Sequence, residues 1–365
     1  MNPIRRLALS ALFVLASGMA HGQDYQIEAV AGGLEHPWSI AWLPDGTALV
    51  TERAGRLRLL RGSQLVEEPV SGVPDVYATS QGGLFEALPD PEFAANGLIY
   101  ISFAHGTPEA NATRVIRARL EGMRLVDQET LFTASPMKDT PVHYGGRMTF
   151  LPDDTLLIGL GDGFDFREQA QKLDNHFGKI VRINTNGSVP ADNPFVDTEG
   201  ALPEIYSYGH RNIQGLLYDA ETGKVWQHEH GPRGGDEINL IRAGNNYGWP
   251  VATHGIDYSG ALVSPYETRP GMVDPLLVWT PSIAPSGMTL YRGNLFPQWA
   301  GELFVSALVG RQLRRVEIVD GRPGDQHIML NDRGERLRDV RTGPDGALYV
   351  LVDAEDGRVL RISPN

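Results

Sequence analysis

The chain has 365 residues, of which 45 are acidic and 32 are lysine or arginine, and its formal net charge is −13. That balance argues against nucleic acid and against anionic membrane surfaces as partners. The sequence contains no cysteine, so a large core or bound ions, and not disulfides, must hold the fold together.

The first residues have the composition of a secretory signal peptide. Arg5 and Arg6 precede an apolar run, LALSALFVLASGMA, which ends in small residues. The run is shorter than the roughly 20 residues that a membrane span needs, so a membrane anchor is the weaker interpretation. We predict a signal peptide over residues 1–22, cleavage near Gln23, and a mature chain that has no membrane span and is periplasmic or secreted.

Short β-rich runs separated by turn residues recur along the rest of the chain. Their common order is strand, turn of the Pro-Asp-Gly kind, strand, Gly turn, strand. The six copies of this phrase lie at 37–60, 82–120, 145–184, 215–241, 287–318 and 337–362. This repetition predicts an all-β fold, a six-bladed β-propeller with four-stranded antiparallel blades, in one domain over residues 23–365. The alternative is a β-sandwich whose turns match by coincidence.

Four spacers are longer than a hairpin needs, and long ordered loops on a rigid scaffold tend to carry function. They cover residues 122–143, 161–178, 184–212 and 242–286. The loops at one face of a propeller converge on its axis, so polar residues from different copies are candidates for one pocket. These candidates are Gln81, His143, His210, Arg211, Asn212, Arg341, Arg336 and Arg338. An arginine-rich pocket suits a polyanionic ligand. Taken singly, the last two arginines are more typical of a solvated strand edge, and a lone histidine is more often structural.

The stretch WQHEHGPRGGDEINLI, residues 226–241, is the candidate metal site. His228 and His230 alternate along a predicted strand and can share a face, which permits zinc if a third ligand is present. The Gly231-Pro232 turn leaves carbonyl oxygens outside a strand ladder, and Glu237 adds a carboxylate. An all-oxygen set of this kind favours Ca²⁺, so calcium is preferred over zinc here.

Eight motifs, taken in chain order, resemble those of the soluble quinoprotein sugar dehydrogenases, the family of soluble glucose dehydrogenase and the bacterial aldose sugar dehydrogenases. The resemblance covers about residues 30–362. The motifs are HPWS (36–39), QGGL (81–84), HYGGR (143–147), GKIVRI (178–183), GHRNIQG (209–215), HGPRGGDEIN (230–239), NYGWP (246–250) and RLRDV (336–340).

The resemblance implies a bound pyrroloquinoline quinone (PQQ), a tricarboxylate, together with Ca²⁺. It makes His143 the general base and Arg211 the stabiliser of the developing oxyanion. Its implied cofactor contacts are Gln81, His143, Arg211, Asn212, Tyr258, Arg336 and Arg338. Its implied calcium ligands are the Gly231 and Pro232 carbonyls at the cofactor, and Glu237 with the Tyr247 backbone at a separate structural site. The implied reaction takes the proton of the anomeric hydroxyl and a hydride from C1 of an aldose sugar and yields a lactone. The electrons then pass to an acceptor that the sequence does not identify.

Two positions depart from the family pattern. The glucose dehydrogenases place a lysine against the cofactor where this chain has Val309, and we predict that Arg311, two residues on, replaces it. The residue before the base is Val142, where the glucose enzymes often have aspartate, which favours the aldose branch with broader sugar selection. Two other functions stay open: a Ca²⁺-dependent propeller lactonase or hydrolase, and a non-catalytic propeller that binds sugar or protein.

Overall fold

A computed structural model describes residues 25–365, so the predicted signal peptide and its cleavage point lie outside the described residues. The chain from Tyr25 onward is almost entirely strand and loop. Its one α-helix is α1 (Phe93–Asn96), and three short 3₁₀ helices cover Arg167–Gln171, Pro297–Trp299 and Asn331–Arg333. No helix in this part of the chain is long and apolar enough to cross a membrane.

Within residues 25–365, twenty-four strands form six four-stranded antiparallel sheets, the blades of a propeller. Blade 1 contains β2 (Pro37–Trp42), β3 (Ala48–Glu52), β4 (Arg56–Arg61) and β5 (Gln64–Leu65). Blade 2 contains β6 (Leu84–Pro89), β7 (Leu98–Gly106), β8 (Asn111–Glu121) and β9 (Arg124–Thr133). Blade 3 contains β10 (Gly145–Phe150), β11 (Thr155–Leu160), β12 (Lys179–Asn184) and β13 (Ile205–Tyr208).

The remaining blades follow in the same order. Blade 4 contains β14 (Ile213–Asp219), β15 (Lys224–Glu229), β16 (Asp236–Ile241) and β17 (Leu277–Trp279). Blade 5 contains β18 (Pro285–Leu290), β19 (Leu303–Ala307), β20 (Gln312–Val319) and β21 (Arg322–Met329). Blade 6 contains β22 (Leu337–Thr342), β23 (Leu348–Val352), β24 (Gly357–Pro364) and, from the other end of the chain, β1 (Tyr25–Leu34).

The predicted six-bladed propeller is therefore confirmed, and each copy of the repeated phrase falls in one blade. The first strands of successive blades contact one another in a closed ring around the axis. The ring is closed within blade 6, where β1 pairs antiparallel with β24 from Tyr25 opposite Pro364 to Leu34 opposite Gly357. The repeated phrase did not predict this strand, which precedes the first copy.

The Pro-Asp-Gly turns show why the phrase recurs. In blade 1 the Leu43 and Thr47 backbones pair across the turn, Asp45 Oδ1 accepts the Thr47 N–H at 2.8 Å, and Gly46 has a φ of 82°. Glycine adopts that left-handed conformation without a Cβ clash. The equivalent turn of blade 3 places Asp154 at the same position with a φ of 61°. Short polar side chains tolerate this conformation at a cost.

Apolar side chains from both faces of every sheet make six cores, one between each pair of adjacent blades. Between blades 1 and 2, for example, Leu49 and Leu57 pack against Leu84 and Ile99. Between blades 6 and 1, Leu351 and Val359 pack against Ile40 and Val50. No blade buries its apolar surface alone, so the ring of six is the unit that folds.

Antiparallel order fixes which loops meet at each end of the axis. The first strand of a blade starts, and its second strand ends, at the same end, which we call the top face. Three of the predicted long spacers contain their blade's fourth strand, and only 161–178 is a single loop between a second and a third strand. The segment between β16 and β17, residues 242–276, leaves the bottom of blade 4 and reaches the top face, where Trp249 and Tyr258 line a cavity.

Candidate active site

A buried imidazole–carboxylate pair lies at the top of blade 3. His143 lies two residues before β10 and has a φ of 53°, and Asp162 follows the end of β11. His143 Nδ1 is 2.6 Å from Asp162 Oδ1, while Asp162 Oδ2 accepts the indole N–H of Trp249 at 2.7 Å. A carboxylate on Nδ1 favours the tautomer with the proton on that nitrogen. His143 Nε2 is then the nitrogen able to accept a proton.

The surroundings of His143 keep its imidazole neutral. Burial, followed by the positive charges of Arg211 and Lys138, lowers the pKa of His143 below its ordinary value, although Asp162 opposes the shift. Burial alone would raise the pKa of Asp162, but the charge and hydrogen bond of His143, with Arg211, lower it. The pair at pH 7 is thus a neutral histidine oriented by a carboxylate, the arrangement of a general base.

Arg211 faces this pair from the loop before β14. Its backbone N–H donates to Glu229 at 2.7 Å, and its Nη1 donates to the carbonyls of His230 at 3.1 Å and Gly231 at 2.8 Å. Its guanidinium carbon lies 5.3 Å from the centre of the Trp249 ring and 5.9 Å from that of Tyr258. These contacts hold a positive charge beside the imidazole.

The first cavity, of about 280 Å³, opens over His143 and Arg211. Its aromatic wall includes Phe164, whose ring meets that of His143 edge to face at 5.2 Å and stacks on Tyr258 at 6.2 Å. The lining residues are His143, Asp162, Phe164, Asp165, Arg167, Arg211, Pro232, Trp249, Asp257, Tyr258 and Val263. A base, a cation and aromatic faces surround a volume suited to a small polar molecule.

The second cavity, of about 150 Å³, lies closer to the axis and is lined by three arginines, Arg53, Arg336 and Arg338. Among residues 25–365 no carboxylate lines it. Asp353, behind this wall, accepts from Arg336 at 3.2 Å and from His36 at 2.8 Å. Burial lowers the pKa of Arg338 to about 10, with Asp353 acting against the shift. Excess positive charge favours an anionic ligand here.

Gln81 and Asn212 join the two cavities, because each binds the backbone beside His143 and lines the second cavity. Gln81 Oε1 accepts the His143 N–H at 2.9 Å, and Asn212 Oδ1 accepts the Gly145 N–H at 3.2 Å. The structure thus brings together six of the eight candidate pocket residues that the sequence analysis took from the residues alone. Of the other two, Arg341 lines a cavity at the opposite end of the axis, and the His210 ring is buried and stacked on Tyr247. Both arginines that resembled a solvated edge line the second cavity, although the Arg336 side chain is 44% exposed.

The structure does not bring Arg311 to either cavity. Its side chain is exposed, and its Nη1 donates to the Gly334 carbonyl at 3.2 Å. Arg311 has a left-handed φ of 48°, and Val309, two residues earlier, is 64% exposed. Leu308 is the residue of this loop that lines the second cavity. The structure thus places Arg311 outside both cavities, and the replacement of the family's lysine by Arg311 stays a prediction.

The histidines of the 226–241 stretch separate in the structure. His228 lies in β15 with its ring against Gly215, both ring nitrogens lack a partner among the described residues, and burial lowers its pKa to about 3. His230 follows the strand, lines the second cavity, and has Nε2 2.7 Å from the Pro285 carbonyl. Within residues 25–365 no cluster of three or more histidine and carboxylate side chains is arranged to hold a metal ion.

Sequence reasoning missed Asp162, although Asp162 stands in the Leu-Gly-Asp-Gly run of the third copy. An acid directly after the second strand of a propeller blade points to the top face, and that position was the available signal. Asp353 occupies the matching position in blade 6, after β23. Trp249, which fixes Asp162, stood in a quoted motif but had no assigned role.

Fold and site together define a propeller with one axial site, in which an oriented base adjoins a pocket for an anion. The model of the Glucose / Sorbosone dehydrogenase family matches residues 34–361, and the chain belongs to that family.

Three similar proteins cover nearly the whole chain. It is 42% identical to the aldose sugar dehydrogenase YliI of Escherichia coli (strain K12) over 98% of both chains. It superposes on a crystal structure of a glucose dehydrogenase with a TM-score of 0.91, at 44% identity, over 93% of this chain and 100% of the other. The PQQ-bound form of an aldose sugar dehydrogenase from Streptomyces coelicolor gives a TM-score of 0.77 at 27% identity, over 93% and 98% of the two chains.

Proposed function

We propose that this protein is a PQQ-dependent aldose sugar dehydrogenase, which oxidises the C1 hydroxyl of an aldose to a lactone. The observation that carries the proposal is the His143–Asp162 pair at 2.6 Å, which lines the first cavity. Gln81 accepts a hydrogen bond from the His143 backbone and lines the second, arginine-lined cavity. Support also comes from the relatives, one of which is named an aldose sugar dehydrogenase and another of which was solved in a PQQ-bound form.

His143 is the proposed base. Its Nε2 accepts the proton of the anomeric hydroxyl, while Asp162 keeps Nδ1 protonated and the ring in place. The positive charge that forms on the imidazole is balanced by Asp162, whose carboxylate is buried and already ionised. Arg211 stabilises negative charge that develops on an oxygen in the cavity. Phe164 and Tyr258 cover the apolar faces of the sugar ring and limit access of water.

The second cavity suits the tricarboxylate quinone by charge. Arg336 and Arg338 are the proposed partners of its carboxylates, and Gln81 and Asn212 add amide groups beside His143. Tyr258 belongs to the first cavity, so its predicted cofactor contact would be made from the substrate side. When bound, the quinone supplies the acceptor for the hydride that leaves C1.

Gly231 and Pro232 are the proposed ligands of a cofactor-bound Ca²⁺. Pro232 lines the first cavity, and the Gly231 carbonyl oxygen points to the same region, where it accepts from Arg211. A carbonyl oxygen has two lone pairs, so one hydrogen bond leaves it able to bind a cation as well. Calcium ligation at these two carbonyls is compatible with the geometry.

Glu237 is the proposed carboxylate of the structural Ca²⁺ site. It is buried in β16 directly opposite Glu229 of β15, and burial followed by the charge of Glu229 raises its pKa well above the ordinary value. The neighbouring Asn239 Oδ1 is buried without a partner among the described residues. Buried oxygens in excess suit a hard cation. The proposed Tyr247 ligand is its carbonyl, because its hydroxyl already donates to Leu240.

Reconstitution tests the proposal. The purified protein is incubated with PQQ and Ca²⁺ and assayed for oxidation of several aldoses with an electron-accepting dye. The expected result is dye reduction that requires both additions, with His143→Ala binding the quinone but reducing the dye at about 10²–10⁴-fold lower rate. Quinone binding without oxidation of any aldose would contradict the proposal. Hydrolysis of lactones by the calcium-loaded protein would instead favour the lactonase alternative.

We also propose that residues 1–22 are a cleaved leader and that the mature protein is periplasmic or secreted. N-terminal sequencing of the exported protein tests this, with Gln23 as the expected first residue.

A further inference from the structure

Arg147, the last residue of the HYGGR motif, lies on the axis of the ring. It is in β10 of blade 3, and its side chain is 1% exposed. It contacts one residue in each of the five remaining blades, and each of these residues lies on the innermost strand of its blade. These partners are Trp38, Glu86, Gln214, Ser286 and Asp339.

The planar guanidinium makes these contacts in different directions. Its Nε donates to the Gln214 carbonyl at 2.9 Å, and Nη2 donates to the Ser286 carbonyl at 2.6 Å. Nη2 is also 3.1 Å from Asp339 Oδ1, and Nη1 is 3.5 Å from Glu86 Oε1. A lysine ammonium is a point charge and does not span such a set.

Arg341 completes a cluster of two positive and two negative charges, in which Arg147 and both carboxylates are buried and the Arg341 side chain is 21% exposed. It pairs with Glu86 at 2.5 Å and with Asp339 at 3.2 Å, the same two carboxylates that Arg147 contacts. Arg341 differs in place, because it lines a cavity of about 530 Å³ at the other end of the axis, where the first strands end. The two arginines therefore share an electrostatic role and differ in which cavity they adjoin.

Arg147 lies directly behind the second cavity of the top face. Its guanidinium carbon is 4.1 Å from the centre of the Trp38 ring, and Trp38 lines that cavity. Arg147 Nη2 is also 3.5 Å from the carbonyl oxygen of Arg338, which lines the same cavity. The guanidinium carbon of Arg338 lies 6.0 Å from the centre of the Trp38 ring. Arg147 thus contacts both the aromatic floor and one arginine of the anion pocket.

We propose that Arg147 is a positioning residue for the anion pocket: by holding Trp38 and the backbone of Arg338, it sets the pocket's affinity for its ligand. This inference rests on the proposed function, in which the ligand is PQQ. It predicts an effect on binding that exceeds what loss of stability alone produces.

The test compares Arg147→Met and Arg147→Lys with the control Arg341→Met. For each purified protein, the PQQ dissociation constant is measured by fluorescence titration in Ca²⁺, and the melting temperature is measured without the quinone. Both methionine variants are expected to melt lower, since each leaves a buried carboxylate short of a partner. Arg147→Met is expected to raise the dissociation constant at least tenfold, and Arg341→Met less than threefold.

The Arg147→Lys variant separates the effect of the guanidinium contacts from the effect of the positive charge. It is also the deciding measurement if Arg147→Met does not fold. It keeps the charge balance, so its melting temperature should recover part of the loss, but its dissociation constant should stay at least fivefold above wild type. Equal effects of Arg147→Met and Arg341→Met on binding, or wild-type binding by folded Arg147→Lys, would overturn the inference. If the wild-type protein fails to bind PQQ, the proposed function is overturned together with it.

Discussion

His143 depends on Asp162 for both its tautomer and its charge. Because the base must be neutral, activity is lost only as the pH falls through the pKa of His143, which lies below the ordinary value of about 6.5. The acid limb of the kcat profile is therefore expected below pH 6.5.

Asp162→Asn should move that limb to still lower pH and reduce kcat. The carboxylate raises the pKa of His143 against the effect of burial, so its removal lets the pKa fall further. The loss of orientation should cost about 10–100-fold in rate. A pH–rate profile of the reconstituted variant checks both effects, and an acid limb displaced to higher pH would contradict the assigned role.

His228 makes the fold sensitive to acid. Its pKa of about 3 in the folded protein is below the ordinary 6.5, so between these values only the unfolded chain takes up the proton. Stability conferred by the neutral ring is full above pH 6.5 and falls with pH, by about 1.4 kcal/mol per unit at most. His228→Leu should therefore gain about 2 kcal/mol relative to wild type between pH 7 and pH 5.

Urea denaturation at the two pH values measures the His228 effect. His327→Leu, at a histidine whose side chain is 44% exposed, is the matched control and should show no comparable gain. Equal pH dependence of wild type and His228→Leu would show that this ring does not govern acid stability.

At the scale of single elements, the turn between β10 and β11 is less well matched to its conformation than the equivalent turn of blade 1. Asp154 adopts a φ of 61°, where blade 1 has Gly46 at 82°. Asp154→Gly should stabilise the protein by about 0.5–1 kcal/mol, and Gly46→Asp should destabilise it by a similar amount. Thermal or urea unfolding checks the pair, and the same sign for both changes would be inconsistent with this account.

Strands and turns were predictable from the sequence wherever the same short pattern of residues repeats. Turns such as Pro44-Asp45-Gly46 and the apolar strands beside them mark all six blades, because each blade forms the same hairpins. Short outer strands such as β5 and β17 carry little local pattern: β5 lies between the first two copies of the phrase, and β17 lies in the 242–286 spacer. The pairing of His143 with Asp162 depends on two loops 19 residues apart meeting at the top face, which no local pattern specifies.

The family motifs predicted more of the site residues than residue type and spacing alone did. They brought Arg336 and Arg338 into the pocket against the local evidence of a strand edge. At Arg311 the chain departs from the family pattern, and the backbone there turns the side chain away from both cavities. A family motif predicts the position of a site residue only where the chain contains that motif.

At the scale of the whole molecule, β1 holds the ring closed. Removing residues 25–34 leaves β24 as an unpaired edge and uncovers the core between blades 6 and 1. We expect such a protein to melt at a much lower temperature and to self-associate through the exposed edge. Removal of residues 1–22 alone is the control and should leave both properties unchanged. Calorimetry and light scattering compare the two, and equal behaviour would show that β1 is dispensable.

The pairing of β1 with β24 also determines when, during synthesis, the propeller can finish folding. The partner of Tyr25 is Pro364 in β24, so blade 6 cannot form until β24 has been synthesised. Until then, the first strand that follows the proposed leader has nothing to pair with. We expect the nascent chain to remain open and therefore competent for threading through a translocation pore. Under the proposed export, the ring would then close only on the far side of the membrane, when β24 emerges.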